Sequence, residues 1–297
     1  MARATASASA SPAPTESTAA APIETLPSAL IAFGDIQSQI RELTPILCLD
    51  FDGTLSPIVE DATKARLLDG VGGILAELAA RVPVTVLSGR DALDVCERIH
   101  LPRILYAGSH GFEVVQEDGT RQPHEEAVAY LPHLAAVEQR LLAETARIPG
   151  VVVDRKHFAV AVHDRLVADG DLESLWQAVA HIGAEFPMLR SMRGKRVTEF
   201  LPSIDWNKGR ALLWLLEMVG YDERRHLPIC IGDDITDEDA LRTVRGRGIG
   251  IVVGSGQRYS AATYSLRDPV EVWEFLVRLS RLLEERSRTG TGADGTS

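Results

Sequence analysis

The chain has 297 residues, of which 45% are apolar, and a formal net charge of −11. These values are typical of a globular protein with one large or two modest domains. The negative charge argues against nucleic acid or an anionic membrane as a partner, and it makes binding of a phosphorylated substrate dependent on local cations or a metal ion.

The N-terminal part of the chain, up to about Pro22, is rich in Ala, Ser, Thr and Pro and has Arg3 as its only basic residue. It lacks the apolar core and basic start of a secretory signal and is poorer in arginine than transit peptides are. We therefore predict a disordered tail over residues 1–24. From Pro27 to Leu43, apolar residues at helical spacing predict an amphipathic helix.

The apolar run Ile46–Leu49 leads into Asp50-Phe51-Asp52-Gly53-Thr54. A continuous apolar run predicts a strand buried on both faces, as in a parallel sheet, and ligands bind at the C-terminal edge of such sheets. There Asp50 is placed as a nucleophile towards phosphorus, Asp52 as an acid and base, and Thr54 as a hydroxyl for the phosphate. A calcium loop and an acidic turn without chemistry are the alternatives. A calcium loop has its glycine in sixth position, whereas here glycine is fourth.

Three further apolar runs predict strands of the same sheet, and each ends on polar residues. The runs end at Ser88-Gly89-Arg90, at Gly108-Ser109-His110-Gly111 and at Gly232-Asp233-Asp234. Helices are predicted over 67–80, 91–99 and 211–219. In one parallel sheet these polar ends would lie along the same edge as Asp50.

Carboxylates gathered at that edge would raise one another's pKa unless a cation neutralised them. A ligand set of oxygens alone, from Asp50, the backbone carbonyl of Asp52 and Asp233, favours Mg²⁺. Lys208 precedes the helix over 211–219, so its ammonium and the positive helix end would act on the same anion.

Between residues 113 and 203 the pattern changes from strand-then-helix units to hairpins. We interpret this span as an inserted α/β cap. The cap divides the predicted core into residues 25–112 and 204–286. The core closes with a helix from Val270 to about Glu285, and residues 287–297 are predicted to be a disordered tail.

The cysteines bear on cellular location. Cys48, Cys96 and Cys230 are odd in number and widely spaced, which predicts free thiols in a reducing compartment. No apolar stretch approaches the roughly 20 residues that span a bilayer. We therefore expect a cytoplasmic protein without a membrane partner.

The polar motifs, in their order along the chain, resemble the four motifs of the haloacid dehalogenase superfamily of phosphohydrolases. The resemblance is closer to trehalose-6-phosphate phosphatases and runs from about residue 44 to 280. The stretches that carry it are LDFDGTLSPIV from Leu49, LSGR from Leu87, YAGSHG from Tyr106, His163 with Arg165, Gly194-Lys195 with Glu199, and GDDITDED from Gly232.

This resemblance implies a Rossmann-like parallel-sheet core with helices on both faces and a smaller α/β cap. It implies Mg²⁺-dependent hydrolysis of trehalose 6-phosphate to trehalose and phosphate through an aspartyl-phosphate, with a metabolic link to a trehalose-phosphate synthase. Carried over by motif, the catalytic residues are Asp50, Asp52 and Lys208, and the metal ligands are Asp50, Asp52 and Asp233, supported by Asp234 and Asp237. The implied substrate contacts are Thr54, Ser88, Arg90, Gly108, Ser109, His110, Gly111, His163, Arg165, Lys195 and Glu199.

Three other functions fit parts of the same pattern. The first is a phosphatase that acts on another sugar phosphate. The second is a mutase, in which the phosphoenzyme passes its phosphoryl group to a second sugar. A sensor of sugar phosphates without catalysis is the third alternative, but it would not need the intact pair Asp50 and Asp52.

Overall fold

The computed structural model describes residues 20–59, 61–116, 118–194 and 196–290. Its strands are β1 Ala21–Pro22, β2 Thr44–Leu49, β3 Val84–Leu87, β4 Ile104–Gly108, β5 Glu113–Val115, β6 Arg121–Pro123, β7 Val152–Arg155, β8 Val160–His163, β9 Leu189–Gly194, β10 Val197–Pro202, β11 His226–Gly232, β12 Ile249–Val253, β13 Tyr259–Ser260 and β14 Tyr264–Leu266. Its helices are α1 Phe33–Gln39, α2 Val71–Ala79, α3 Ala92–Ile99, α4 Glu125–Val128, α5 Leu131–Thr145, α6 Asp169–Glu185, α7 Lys208–Met218, α8 Asp237–Val244 and α9 Pro269–Gly290. Within these ranges no helix has the length and apolar character needed to cross a membrane.

The larger sheet has the strand order β14-β12-β11-β2-β3-β4-β5-β6 among the described residues. The strands from β14 to β4 are parallel to one another, and β5 and β6 are antiparallel additions at one edge. The predicted α/β class with a mostly parallel sheet is therefore confirmed. The order also puts the ends of β11, β2, β3 and β4 side by side, as the apolar runs predicted.

Strand β2 is buried on both faces because its side chains alternate between two apolar clusters. Leu47 and Leu49 pack with residues of α1, α2, α3 and α9, whereas Ile46 and Cys48 pack with residues of α7 and α8. Full burial of a leucine or isoleucine side chain contributes about 1.5–3 kcal/mol. Packing on both faces therefore fixes strand β2. It also fixes the start of the next segment, which carries Asp50 and Asp52.

The smaller sheet is antiparallel, with the order β7-β8-β10-β9. One face packs on α5 and α6 through Val160, Val162 and Phe200. Because side chains alternate along a strand, Glu199 lies on the opposite face from Phe200. The hairpin β5–β6, which we assigned to the cap from the sequence, instead pairs with β4 in the larger sheet. The division of the chain at residues 113 and 203 stays a prediction.

Both chain ends differ from the predicted tails. Ala21–Pro22 pairs with Tyr259–Ser260, and Ile23 is 2% exposed, so the disordered tail predicted over 1–24 is wrong for residues 20–24. The predicted tail over 287–297 is wrong for its first four residues, because α9 continues to Gly290. Residues 1–19 and 291–297 lie outside the described ranges.

The predicted helix over 27–43 is shorter than its periodicity suggested, spanning only Phe33–Gln39. The reason is backbone pairing, because Ser28 forms a bridge with Ser265 and the amide of Ala29 donates to the carbonyl of Ser265. Ile31, which belonged to the apolar periodicity, is 89% exposed. Asp91 is the N-cap of α3, since its side chain accepts a hydrogen bond from the amide of Leu93 over 3.0 Å.

Candidate active site

The candidate site lies at the edge of the larger sheet where β11, β2, β3 and β4 end. Asp50 follows β2, Ser88 follows β3, the turn Ser109–Gly111 follows β4, and Asp233 follows β11. Backbone hydrogen bonds join two of these ends, because the amide of Ser109 donates to the carbonyl of Arg90 and that of His110 to the carbonyl of Ser88. Residues that are far apart in the sequence therefore form one polar surface.

A buried cation joins two carboxylates at the centre of this surface. Lys208, the first residue of α7, is 3% exposed and donates to Asp50 Oδ1 over 2.7 Å and to Asp237 Oδ1 over 2.6 Å. Burial alone would lower the pKa of Lys208, but Asp237 and Asp50 outweigh burial and raise it. Lys208 is therefore a permanent positive charge beside Asp50.

The carboxylates around Lys208 nevertheless outnumber this one buried cation. One oxygen from each of Asp50, Asp233 and Asp237 lies within 4.8 Å of the others. Burial, helped by Asp237 and Asp233, raises the pKa of Asp50 well above its ordinary value despite Lys208. Burial and the carboxylates of Asp237 and Asp234 raise the pKa of Asp233 to about 7. Such a cluster could hold a metal ion, which would neutralise the carboxylates.

Gly53 makes the close approach of Asp233 possible. Its φ is +80°, a left-handed conformation that favours glycine, and a Cβ there would lie 2.2 Å from Asp233 Oδ2. No side chain larger than hydrogen fits between the turn after β2 and the carboxylate after β11. The glycine therefore allows the Asp233 carboxylate to lie close to the turn that carries Asp50 and Asp52.

Two hydroxyl groups face the same region. The side chain of Thr54 is fully buried, and its Oγ1 has no hydrogen-bond partner among the described residues. A buried hydroxyl without a partner costs free energy, so Oγ1 is available to a ligand. Ser88 is also buried, and its Oγ accepts a hydrogen bond from the amide of Arg90 over 3.2 Å.

Arg90 pairs with Asp52. Its Nε and Nη2 donate to the two oxygens of Asp52 over 2.6 and 2.7 Å, and its Nη1 donates to Asp94 over 3.1 Å. Asp94 is held in turn by Arg98 over 2.8 Å. The sequence resemblance implied a sugar contact for Arg90, whereas here its guanidinium engages both oxygens of Asp52.

The smaller sheet reaches the site through Glu199. This carboxylate is 7% exposed, accepts a hydrogen bond from His110 Nε2 over 2.9 Å and pairs with the ammonium of Lys156. Lys156 also donates to the carbonyl of Gly89 over 2.8 Å. Burial alone would raise the pKa of Glu199, but Lys156 and His110 outweigh it and hold the pKa well below its usual range. Glu199 is therefore an anion that links the two sheets.

The other residues implied by the resemblance are placed less centrally. His163 ends β8 and is partly buried, while Arg165 is exposed and donates to the carbonyl of Val59 over 3.1 Å. Asp234 is exposed, and its amide donates to Asp237 Oδ2 over 3.0 Å. Lys195 lies outside the described residues.

A family model described as trehalose-phosphatase matches residues 48–270, a range that contains every residue of this site. The chain belongs to the trehalose-phosphatase family. The family resemblance stated from the sequence motifs is thereby confirmed.

Relatives of this trehalose-phosphatase family member differ widely in length. A trehalose-phosphate phosphatase of Mycobacterium tuberculosis is 44% identical over 264 residues, which cover 88% of this chain and 67% of that protein. An uncharacterized glycosyl hydrolase of the same organism is 44% identical over 271 residues. This chain spans about a fifth of the length of that hydrolase, since the match covers 20% of it.

Among solved structures, a trehalose-6-phosphate phosphatase of Aspergillus fumigatus superimposes with a TM-score of 0.60 and 26% identity. The match covers 86% of this chain and 99% of that one. This member of the trehalose-phosphatase family therefore shares its fold with that protein over nearly the whole solved chain.

One contact of the site had no signal in the sequence. Arg258 Nη2 donates to the backbone carbonyl of Asp233 over 2.6 Å, although the two residues are 25 positions apart. Arg258 lies in the loop Gly-Ser-Gly-Gln-Arg after β12, whose composition predicts a turn and nothing more. The pairing of β1 with β13 and the hydrogen bonds from the amides of Ile23 and Glu24 hold this part of the loop.

Proposed function

We propose that this chain is a Mg²⁺-dependent phosphatase that hydrolyses trehalose 6-phosphate to trehalose and phosphate through an aspartyl-phosphate at Asp50. The observation that carries the proposal is the buried group of Asp50, Lys208 and Asp237. It lies at the strand edge that also carries Thr54 and Ser88. When Lys208 and bound Mg²⁺ together keep Asp50 charged, this carboxylate needs no deprotonation before it attacks, and the same cations attract the substrate phosphate.

Mg²⁺ fits the donor set of this site. Asp237 uses one oxygen for Lys208 and the other for the amide of Asp234, which favours Asp50, Asp233 and the carbonyl of Asp52 as ligands. When bound, Mg²⁺ neutralises the carboxylates and polarises the phosphoryl oxygens. The raised pKa values of Asp50 and Asp233 support this role. Burial and the neighbouring carboxylates destabilise the charged form of both residues, and a bound cation would offset that effect.

The remaining groups divide the work of the two chemical steps. Lys208, Thr54 and Ser88 hold the phosphoryl oxygens while Asp50 attacks phosphorus. Asp52, aimed by Arg90, protonates the departing sugar oxygen and then removes a proton from the water that hydrolyses the acyl phosphate. Glu199 and the ring of His110 bind sugar hydroxyls at the boundary between the sheets.

The same proposal extends to the setting of the reaction. A trehalose-phosphate synthase would supply the substrate. Cys48, Cys96 and Cys230 are free, which is consistent with the reducing cytoplasm as the compartment.

Phosphate release from a panel of sugar phosphates tests the function directly. We expect trehalose 6-phosphate to be the preferred substrate, with activity lost in the presence of a chelator and restored by added Mg²⁺. Transfer of the phosphoryl group to a second sugar instead of water would identify a mutase. Activity that persists in excess chelator would contradict the metal site.

Arg90→Lys tests whether Arg90 aims Asp52 or binds sugar. A lysine cannot make the two parallel hydrogen bonds of a guanidinium, so Asp52 would lose part of its orientation. General acid–base catalysis contributes about 10²–10⁴-fold, and we expect kcat to fall about tenfold with KM nearly unchanged. Steady-state kinetics decide the question, because a rise in KM at unchanged kcat would assign Arg90 to sugar binding.

Glu199→Gln tests the sugar contact. The amide is nearly isosteric, but it loses the charge that pairs with Lys156 and His110. We expect kcat/KM for trehalose 6-phosphate to fall about 10²-fold, since a site built for hydrogen bonding discriminates strongly. The loss for 4-nitrophenyl phosphate, which has no sugar hydroxyls, should be below about threefold.

The control for Glu199→Gln is Glu185→Gln, which removes a charge near the exposed end of α6. We expect that variant to match the unmodified protein on both substrates. Equal losses on both substrates in Glu199→Gln would instead mean that Glu199 supports the structure of the site and does not select the sugar.

A further inference from the structure

Residues 21–26, which we call the strap, run beside the loop that follows β12. Strand β1 pairs with β13, the amide of Ile23 donates to the carbonyl of Arg258 over 2.9 Å, and the amide of Glu24 donates to that of Gly256 over 3.3 Å. The side chain of Ile23 is buried in the apolar cluster that packs α7 and α8 on the larger sheet. The strap is therefore anchored to the core and bonded to the loop.

The loop over residues 254–258 has little packing to hold its shape. Its residues 255–257 are exposed, and Gly254 and Gly256 have φ values of +128° and +103°. A Cβ built at either glycine would meet nothing within 4 Å. Since glycine loses more conformational entropy than other residues when it is ordered, this loop needs external hydrogen bonds to stay in place. The strap supplies two of them, at Gly256 and Arg258, and the amide of Gly254 donates another to the carbonyl of Leu266 over 2.8 Å.

Arg258 connects this loop to the candidate metal site. Asp233 comes directly after β11, and its backbone carbonyl accepts the hydrogen bond from Arg258 Nη2 over 2.6 Å. The Asp233 carboxylate has little freedom, because it lies against Gly53. A small rotation of the Asp233 backbone would therefore move the carboxylate away from Asp50.

We propose that the strap is a positioning element of the metal site: it holds Arg258, and Arg258 fixes the backbone of Asp233 in the orientation in which its carboxylate binds the cation. The inference rests on the proposed function for the role of Asp233. Arg258 is a positioning residue, since it contacts the ligand's backbone and not the substrate.

Charge and hydrogen bonding give opposite expectations at Arg258. Removing a positive charge beside a cation site would by itself strengthen Mg²⁺ binding, because repulsion is lost. Removing the hydrogen bond to a ligand weakens binding, and outer partners of metal ligands are typically worth about 10–100-fold in metal affinity. Arg258 also lowers the pKa of Asp233, so the titrations are made well above pH 7, where the Asp233 carboxylate is charged in both chains. Weaker binding in Arg258→Met under that condition cannot be explained by charge.

The experiment is calorimetric titration of Mg²⁺ into the metal-free full chain. We expect Arg258→Met to bind Mg²⁺ about tenfold more weakly and Arg258→Lys, which keeps a donor, to recover part of the loss. Arg224→Met, at an exposed position before β11, is the control and should bind as the unmodified chain does. Equal or tighter binding in Arg258→Met would overturn the proposal.

The strap is tested by removing residues 1–26 and, as the control, residues 1–19. We expect about tenfold weaker Mg²⁺ binding only in the longer deletion. Ile23→Ala in the full chain loosens the same anchor if the longer deletion fails to fold. Combined with Arg258→Met, it should add nothing further, because both act through one hydrogen bond. Additive losses would show that the strap does not act through Arg258.

These binding measurements are independent of turnover. A chain that follows the expected Mg²⁺ affinities but releases no phosphate from trehalose 6-phosphate would contradict the proposed function and leave the positioning role standing. If the unmodified chain releases phosphate from trehalose 6-phosphate but Arg258→Met binds Mg²⁺ as tightly as the unmodified chain does, the positioning role is contradicted. The proposed function then still stands.

Discussion

The Lys208→Met variant is expected to lose phosphate release and about 3–5 kcal/mol of unfolding free energy at pH 7. Lys208 is buried and bonded to both Asp50 and Asp237, so methionine leaves two buried carboxylates without their shared cation. Because the pKa of Lys208 is raised on folding, its stabilising contribution is complete at neutral pH and is lost only in strongly alkaline solution. Urea unfolding in the presence of a chelator measures the effect on the protein itself.

Two further variants test whether the loss of stability in Lys208→Met comes from the two carboxylates that it leaves unpaired. Lys208→Met combined with Asp237→Asn removes one uncompensated charge, so it should regain part of the lost stability without regaining activity. Lys64→Met, at a side chain that is 77% exposed, should change the unfolding free energy by less than about 0.5 kcal/mol. A loss below about 1 kcal/mol in Lys208→Met would mean that the buried pairs contribute little.

The sequence predicted the centre of the site because the information there is local. Each apolar run predicts a buried strand, and the residue after the run lies at the C-terminal edge of the sheet. The positions of Asp50, Ser88 and Asp233 therefore follow from strand order alone. The same reasoning placed Lys208 at a helix start, which is where α7 begins. The residues at the centre of the candidate site are thus encoded by four short segments.

The contacts between side chains could not be predicted in this way. The sugar contact of Arg90 stays a prediction, whereas the bonds from its guanidinium to Asp52 had no signal in the sequence. A basic residue in a glycine turn has several acidic partners in reach, and only the fold selects one. The strap was missed for a related reason. Residues 20–24 carry no periodicity, and their order comes from pairing with β13, more than 230 residues away.

The Asp50→Asn variant should keep its fold and lose turnover by at least about 10⁴-fold, as expected for a missing nucleophile. Burial and the nearby carboxylates raise the pKa of Asp50, so its charge destabilises the metal-free protein at pH values above the ordinary carboxyl pKa. The asparagine amide removes the free-energy cost of the buried charge, but it also weakens the hydrogen bond from Lys208. We therefore expect an unfolding free energy close to that of the unmodified chain in chelator, and a smaller rise in melting temperature on adding Mg²⁺.

Asp52→Asn shows which carboxylate carries the phosphoryl group. The 4-nitrophenolate group leaves without a proton, so with 4-nitrophenyl phosphate Asp50 can still be phosphorylated when Asp52 cannot act as an acid. The second step, which needs Asp52 to activate water, is then slow. Intact-protein mass spectrometry should show a phosphorylated chain for Asp52→Asn and an unmodified one for Asp50→Asn. The opposite result would exchange the roles of the two residues, and its physical consequence would be that the carboxylate paired with Lys208 is the proton carrier.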